Sequence, residues 1–324
     1  MNRRTLIAAL AASLPALATS PRALADTLSA RPVRIVVPFG AGGIADLTVR
    51  AVAQAMGEQL KTQIVIENKP GAGGIAAGET VARAAPDGHT LLLMSNGNAV
   101  SVNLFKSLPF DTVRDFAPIC GLGSFGLGIV VPANSPHRTL AELLAHARAN
   151  SGKLNLGTIN IGSTQNLAGE LFRTRAGINA QIIPFNGTPA LLTALRGGHV
   201  DAGVEILGPL KSQLNPGGVR LLAVTSRRRA AEFPDVPTAA EAGVADYEAS
   251  SWNALAAPAR TPQPIIAQLN QAARAALDSP DVRKRLAELG VESIGGTPQA
   301  LAELLSGEIR RWGDVIERAG IPKQ

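Results

Sequence analysis

The sequence predicts an α/β protein built from two domains. Short apolar, β-branched runs alternate with glycine-rich turns and helical patterns, which argues for a parallel sheet covered on both faces. About 300 residues remain once an N-terminal leader is set aside, which fits two domains of about 150 each. A C-terminal run of marked helix starts then supplies helices with few strands, enough to complete the first domain.

Arg3 and Arg4 give the chain a positive start. Leu6 to Leu17 is apolar with small residues throughout, and Ala23-Leu24-Ala25 is the small-x-small pattern a signal peptidase reads. Residues 1–25 are therefore expected to be a signal peptide, cleaved before Asp26. Ser13 and Pro15 break the apolar stretch, which is shorter than the roughly 20 residues that span a bilayer. An uncleaved anchor is the disfavoured alternative, and Arg3-Arg4 before Thr5-Leu6 also permits twin-arginine export. The leader removes Arg3, Arg4 and Arg22 and no acid, so the formal charge falls from +6 to +3. Only 3% of residues are aromatic and no basic stripe runs among them, so nucleic-acid binding is unsupported. Arg227-Arg228-Arg229 reads as a solvated turn. Cys120, the lone cysteine, sits in the apolar run Phe116 to Leu122 and reads as a buried, inert thiol.

Val33 to Val37 reads as a buried strand, Gly40 to Gly43 as a turn and Ile44 to Leu60 as a helix. Gln63 to Glu67 is a second strand, Pro70 to Gly74 a second turn, Ile75 to Ala84 a second helix and Leu91 to Met94 a third strand. The alternation resumes with strands at Ile129 to Val131, Leu154 to Gly157, Gln181 to Ile183, Val200 to Ile206 and Val219 to Val224. Helices at Leu140 to Ala149, Gln165 to Ala176 and Pro189 to Leu195 separate them. The proline-bounded segment Phe233 to Pro237 is the expected crossing between lobes. Trp252 to Ala256 and Val291 to Ile294 read as late strands. Thr261-Pro262, Ser279-Pro280 and Thr297-Pro298 each set a capping hydroxyl before a proline at the first helical position. Leu301, Leu305, Ile309, Trp312 and Ile316 form one apolar stripe on the last helix, from about Pro298 to Ala319.

The hexapeptide Gly-Ala-Gly-Gly-Ile-Ala occurs twice, at Gly40 to Ala45 and Gly71 to Ala76, each time after a strand and opening a helix. Both copies satisfy a dinucleotide fingerprint, and Glu67 ends the strand after the first. An exported nicotinamide-dependent oxidoreductase is thus one alternative. The duplication makes the pattern cheap, and Pro38-Phe39 lengthens the first turn. The loop chemistry itself supports anion binding, because a helix start presents free N–H groups and partial positive charge, and glycine lets the backbone approach a ligand. Tight turns and close packing remain the competing explanation, more strongly for the second copy. Asp46 reads equally as a helix-start acid or a ligand contact. There is no nucleophile elbow, no P-loop lysine and no H-x-x-x-H pair, so neither an enzyme nor a metal or other cofactor is expected. His89, His137, His146 and His199 are expected in surface or capping roles.

Together these segments resemble the Bug family, the periplasmic substrate-binding proteins of tripartite tricarboxylate transporters. The matching stretches are Ile35 to Gly43 with Asp46, Glu67 to Gly74, Pro86 to Leu92, Asp115 to Pro118, Gly162-Ser163 ahead of Leu167 to Phe172, Gly197 to Asp201, Leu222 to Ser226, Pro234 to Thr238 and Trp252. They cover nearly all of the mature chain in order. The resemblance implies a two-lobed periplasmic binding protein (Venus-flytrap, type II-like), each lobe a mixed, mainly parallel sheet flanked by helices. Lobe 1 is expected at 26–125 plus 227–324, and lobe 2 at 126–226. It also implies a monomer that delivers a small organic acid to membrane permease subunits. A sensor docking to a signalling receptor is a further alternative.

By that resemblance the ligand is held in the first lobe by Phe39, Gly40, Ala41, Gly42 and Gly43, directly or through water. In the second lobe it is held by the turn Thr158 to Gln165, with Gly162, Ser163, Thr164 and Gln165 opening a helix. Two helix starts then face each other across a cleft. Asn96 joins the set because it follows the third strand, where the carboxyl ends of a parallel sheet gather ligands. Family members often carry His where this chain has Asn166 and Lys where it has Asn186, so a heavily charged acid is disfavoured. Glu205 falls where an acid is common, and reads equally as a surface carboxylate or as an acceptor for a ligand hydroxyl or amine.

Overall fold

A computed structural model of the chain describes Leu28 and residues 31–230, 232–318 and 320–324. The expected signal peptide and its cleavage point lie outside the described residues.

The first half runs β1 (Val33–Val37), α1 (Ile44–Leu60), β2 (Ile64–Asn68), α2 (Ile75–Ala82), β3 (Thr90–Ser95) and α3 (Asn96–Leu104). β1 lies between β2 and β3, parallel to both. Val33, Ile35, Val36 and Val37 have no exposure, as a strand covered on both faces requires. α3, which the sequence reading left out, starts directly on β3, and Ser95 caps it by accepting from the Gly97 N–H. Its low apolar content hides it from a periodicity test.

β4 (Phe116–Pro132) is 17 residues long, whereas only Ile129 to Val131 was expected. Glycines at 121, 123, 126 and 128 break the apolar signal. They are there for space: a Cβ on Gly123 would stand 2.2 Å from the Val291 side chain, and one on Gly128 2.4 Å from Leu221. The second half continues α4 (Leu140–Ala149), β5 (Leu154–Ile159), α5 (Thr164–Arg175), β6 (Ala180–Phe185), α6 (Thr188–Arg196), β7 (Ala202–Ile206), α7 (Leu207–Leu210) and β8 (Val219–Val224). The chain then returns through β9 (Ser250–Pro258), α8 (Gln263–Asp278), α9 (Pro280–Glu288), β10 (Glu292–Ser293) and α10 (Pro298–Arg318).

β4 belongs to both sheets. Phe116 to Gly126 pairs antiparallel with β9. From Leu127 onward β4 pairs with β7 on one side and, from Gly128, with β8 on the other. The strand order is therefore β2-β1-β3-β9-β4 in one sheet and β4-β7-β5-β6 in the other, with β10 and β8 also on β4. The lobes meet where β4 changes partners and β9 begins.

Phe233 and Val236 pack on a second-half cluster with Val130, Leu191 and Val219, and the Val224 N–H donates to Pro237 O. That segment stays with β8, so the crossing comes later, after Ala249, whose N–H donates to Thr225 O. Thr261 is not the cap of α8: Pro262 occupies that position, and the Thr261 hydroxyl donates to Pro258 O. Ser279 and Thr297 do accept from Val282 N and Ala300 N. On α10, Leu301, Leu305, Trp312 and Ile316 are buried and Ile309 is partly buried. Cys120 is fully buried, and burial pushes its thiol up to about 11. Arg227 pairs with Glu248 and Arg229 with Glu241 at the surface.

Candidate functional site

A cavity of about 290 Å³ lies between the lobes. The first lobe contributes Phe39, Gly40, Ala41, Gly43, Ile44 and Ala45. The second contributes Ile159, Thr164, Gln165, Ile206 and the stretch Asn186 to Ala190. Phe125, Ser251 and Asn253 come from β4 and β9, where the lobes join. None of these side chains is charged. A larger groove of about 810 Å³ runs along α1, β2 and the end of α9. It takes its walls from one lobe, so the interlobe cavity is the better candidate site.

Three helix starts converge on that cavity: α1 after Gly43, α5 after Ser163 and α6 after Gly187. Each brings unpaired N–H groups and the positive end of its dipole. Two were expected from the sequence, and α6 is the addition. Its proline start was legible, but its direction was not. The jaws close near this point, where a Cβ on Gly40 would lie 3.9 Å from Asn186 O.

The first loop is held from behind. Gly42 turns with φ +80° and donates its N–H to Asp46 Oδ2 at 3.0 Å. Asp46 is 2% exposed and also accepts from Arg50 Nε at 2.9 Å and Asn68 Nδ2 at 2.9 Å. Asn68 donates as well to Phe39 O at 3.0 Å. Burial works to raise the Asp46 carboxyl, but the hydrogen bonds from Arg50, Gly42 and Asn68 and the Arg50 charge outweigh it, holding the group below its ordinary range. Neither Asp46 nor Gly42 lines the cavity; Gly42 lines a separate pocket with Leu47 and Pro189.

The second-lobe turn divides the same way. Ser163 caps α5 by accepting from Asn166 N at 3.1 Å. Asn166 accepts from Gly162 N at 3.2 Å and donates to Thr158 Oγ1 at 3.2 Å. Thr158, Gly162, Ser163 and Asn166 thus bond to one another and stand behind the cavity wall, while Thr164 and Gln165 line it. Glu205 is fully buried and also off the wall. Its Oε1 accepts from Gln165 Nε2 at 3.0 Å and Ile206 N at 2.7 Å, and among the described residues only the neighbouring Thr188 hydroxyl is left to bond the rest of the carboxyl. Burial pushes this carboxyl upward against those hydrogen bonds. The surface-carboxylate reading of Glu205 is therefore corrected: β7 lies inside the sheet and carries the group into the core.

Asn96 has no exposure and does not touch the cavity; it reaches across the lobes to Thr164 Oγ1 at 3.0 Å. Ile159 falls within the expected turn Thr158 to Gln165, whereas Ile206, Thr188, Phe125, Ser251 and Asn253 were not anticipated as lining residues. Ser251 and Asn253 flank Trp252, a residue the motif comparison had singled out, but strand alternation does not say which face meets a cleft. Glu67, the acid a dinucleotide site would need, pairs instead with Arg34 at 3.0 Å. His137 and His146 bring their ring centroids within 4.6 Å of each other, tilted by 44°, outside the cavity. Among the described residues, no group of three or more His, Cys, Asp or Glu could hold a metal, and no helix is long and apolar enough to cross a membrane.

Two α/β lobes that share a continuous strand and enclose a cavity ringed by helix N-termini define a two-lobed periplasmic binding protein. The sequence model of the tripartite tricarboxylate transporter receptor family, TctC, matches residues 48–321. The chain belongs to that family, and the resemblance to Bug proteins holds. The periplasmic binding protein BugD is 32% identical with a TM-score of 0.87, covering 91% of this chain and 100% of its own. MatC from Rhodopseudomonas palustris, solved with bound malate, is 36% identical with a TM-score of 0.84, covering 88% and 99%. Rpa4515 of R. palustris, solved with adipate, is 34% identical with a TM-score of 0.86, covering 90% and 98%.

Proposed function

We propose that this chain is an exported solute-binding protein that captures a small organic acid by its carboxylate and delivers it to the permease of a tripartite tricarboxylate-type transporter. The observation that carries the reading is the convergence of three helix starts on an interlobe cavity whose walls hold no charged side chain. Backbone N–H groups at a helix start hold a carboxylate as well as a phosphate. Such neutral donors suit a carrier, which must release what it binds. The malate and adipate held by two relatives support the ligand class.

In this reading Phe39, Gly40, Ala41 and Gly43 form one jaw and Thr164, Gln165 and Asn186 the other. Gly42, Asp46, Asn96, Thr158, Gly162, Ser163, Asn166 and Glu205 hold those groups in place. The first lobe spans 26–125 with the chain after Ala249, the second spans 126–249 instead of ending at 226, and they rock about the junction of β4 and β9. Residues 1–25 direct export and leave before Asp26.

Thermal-shift and calorimetric titration with C3 to C8 mono- and dicarboxylic acids tests the reading. A one-to-one complex that raises the melting temperature without any chemical change in the acid is the expected result. A flat response to every carboxylate sinks it.

A further inference from the structure

Ser251 and Asn253 stand two residues apart on β9, so their side chains leave the same face of the strand, and both line the cavity. Asn253 is 1% exposed, and its amide makes no hydrogen bond among the described residues; the buried Nδ2 has no partner. Native folds leave few buried amides unpaired, and one on the wall of a cavity points to a ligand that completes it.

The hydroxyls beside it have a surplus proton. The indole N–H of Trp312 is shared between Asn96 Oδ1 and Glu308 Oε2, both at 2.9 Å, and a donor facing Asn96 there sets the orientation of that amide. Asn96 Nδ2 therefore donates to Thr164 Oγ1 at 3.0 Å. Thr164 Oγ1 and Ser251 Oγ lie 2.7 Å apart and share one hydrogen bond. Two hydroxyl hydrogens serve that single contact. Whichever residue donates, the other keeps a hydrogen, and both residues line the cavity.

We infer that Asn253, with the Thr164–Ser251 pair, reads the tail of the bound acid and takes an uncharged oxygen acceptor there, a hydroxyl or keto oxygen. This rests on the carboxylate reading above. The floor offers the Asn253 amide and a spare hydroxyl hydrogen to a neutral polar group, and no cation to neutralise a second carboxylate.

Calorimetric titration with acids of four, five and six carbons, each as the straight-chain acid, the ω-hydroxy acid and the dicarboxylate, tests this. At the best-fitting length the ω-hydroxy acid should bind about tenfold tighter than the straight-chain acid, the worth of one buried hydrogen bond, and tighter than the dicarboxylate. Asn253→Ala should erase most of that preference, read as the ratio of ω-hydroxy to straight-chain affinity, and leave the ligand-free melting temperature level or higher, because no protein hydrogen bond is lost. Ser251→Ala should erase part of it. A preference that survives both substitutions, a dicarboxylate that binds best, or a marked drop in ligand-free stability for Asn253→Ala would overturn the inference while leaving the carboxylate reading intact. No binding by any of these acids would overturn that reading, and this inference with it.

Discussion

Gly40 to Ala45 and Gly71 to Ala76 are the same hexapeptide, and both end a parallel strand segment and open a helix, yet they do different work. In the first copy the turn residue is Gly42, with φ +80°, and Gly43 enters the helix from an extended φ of −79°. In the second, Gly73 and Gly74 both turn left-handed, at φ +61° and +69°. The first copy lines the cavity. The second presses on the opposite lobe, where the Gly73 N–H donates to Ile161 O at 2.9 Å. A difference that helps set them apart lies just downstream. Asp46 follows the first copy and takes the Gly42 N–H, whereas the matching Ala77 is an apolar core residue. Identical glycines therefore supply permission to turn, and a neighbouring acid or a facing lobe decides how the turn is used.

Substitutions separate the two roles. Gly73→Ala should have the largest effect. Its Cβ would stand 2.6 Å from the Phe105 ring and from Ser101 Oγ, at a φ that L-residues avoid. Overpacking and backbone strain together suggest a loss of about 2–4 kcal/mol, read by urea unfolding, with weaker ligand binding as the lobes lose their contact. Gly162→Ala should behave alike, since its Cβ would come within 3.0 Å of Gly73 Cα.

Asp46→Asn comes next, at roughly 1.5–3 kcal/mol, the worth of charge-assisted hydrogen bonds. Its signature is the pH dependence. The folded carboxyl titrates below its ordinary value of 3.8. Its contribution is therefore present above that value and is lost as pH falls through the folded pKa. Unfolding curves of the parent and Asp46→Asn should accordingly draw together at the acid end of the range. Parallel curves down to the lowest pH would show that Asp46 contributes no charge-dependent stability.

Gly42 separates stability from binding. A Cβ there meets nothing within 4 Å, so Gly42→Ala should cost only the strain of φ +80°, about 1 kcal/mol. Gly42→Asp adds a negative charge beside the first jaw and should weaken binding of a carboxylic acid by more than about tenfold. Equal affinities for the two variants would remove the electrostatic part of the loop's role. Gly71→Ala should do least. Its φ of 170° suits any residue, and its nearest neighbour would be Ala76 Cβ at 3.9 Å. A change within about 0.5 kcal/mol is expected, and a larger one would mean that the second copy has a constraint its geometry does not show.

Local patterns carried much of the fold. Val33–Val37, Ile44–Leu60, Leu140–Ala149 and Val219–Val224 coincide with the expected runs, because a buried strand and an amphipathic helix each write their period into a few neighbouring residues. β4 escaped because its glycines make room for Val291 and Leu221, residues more than 90 positions away. Thr261 misled because a hydroxyl before a proline permits a cap without requiring one. Ser163 and Thr164, adjacent in the chain, part company at the site, one capping α5 and the other lining the cavity.

By itself the sequence determined where most helices begin, that β1 is covered on both faces and which family the chain resembles, since each is a matter of neighbouring residues or of motif order. Tertiary structure alone decided which glycine copy faces the cavity, that α6 adds a third helix start, that Glu205 is buried in the core, and that Asn253 carries to the floor an amide unpaired among the described residues. Those outcomes depend on groups brought together from distant parts of the chain, such as Trp312 with Asn96 and Thr164 with Ser251, and no local period records such meetings.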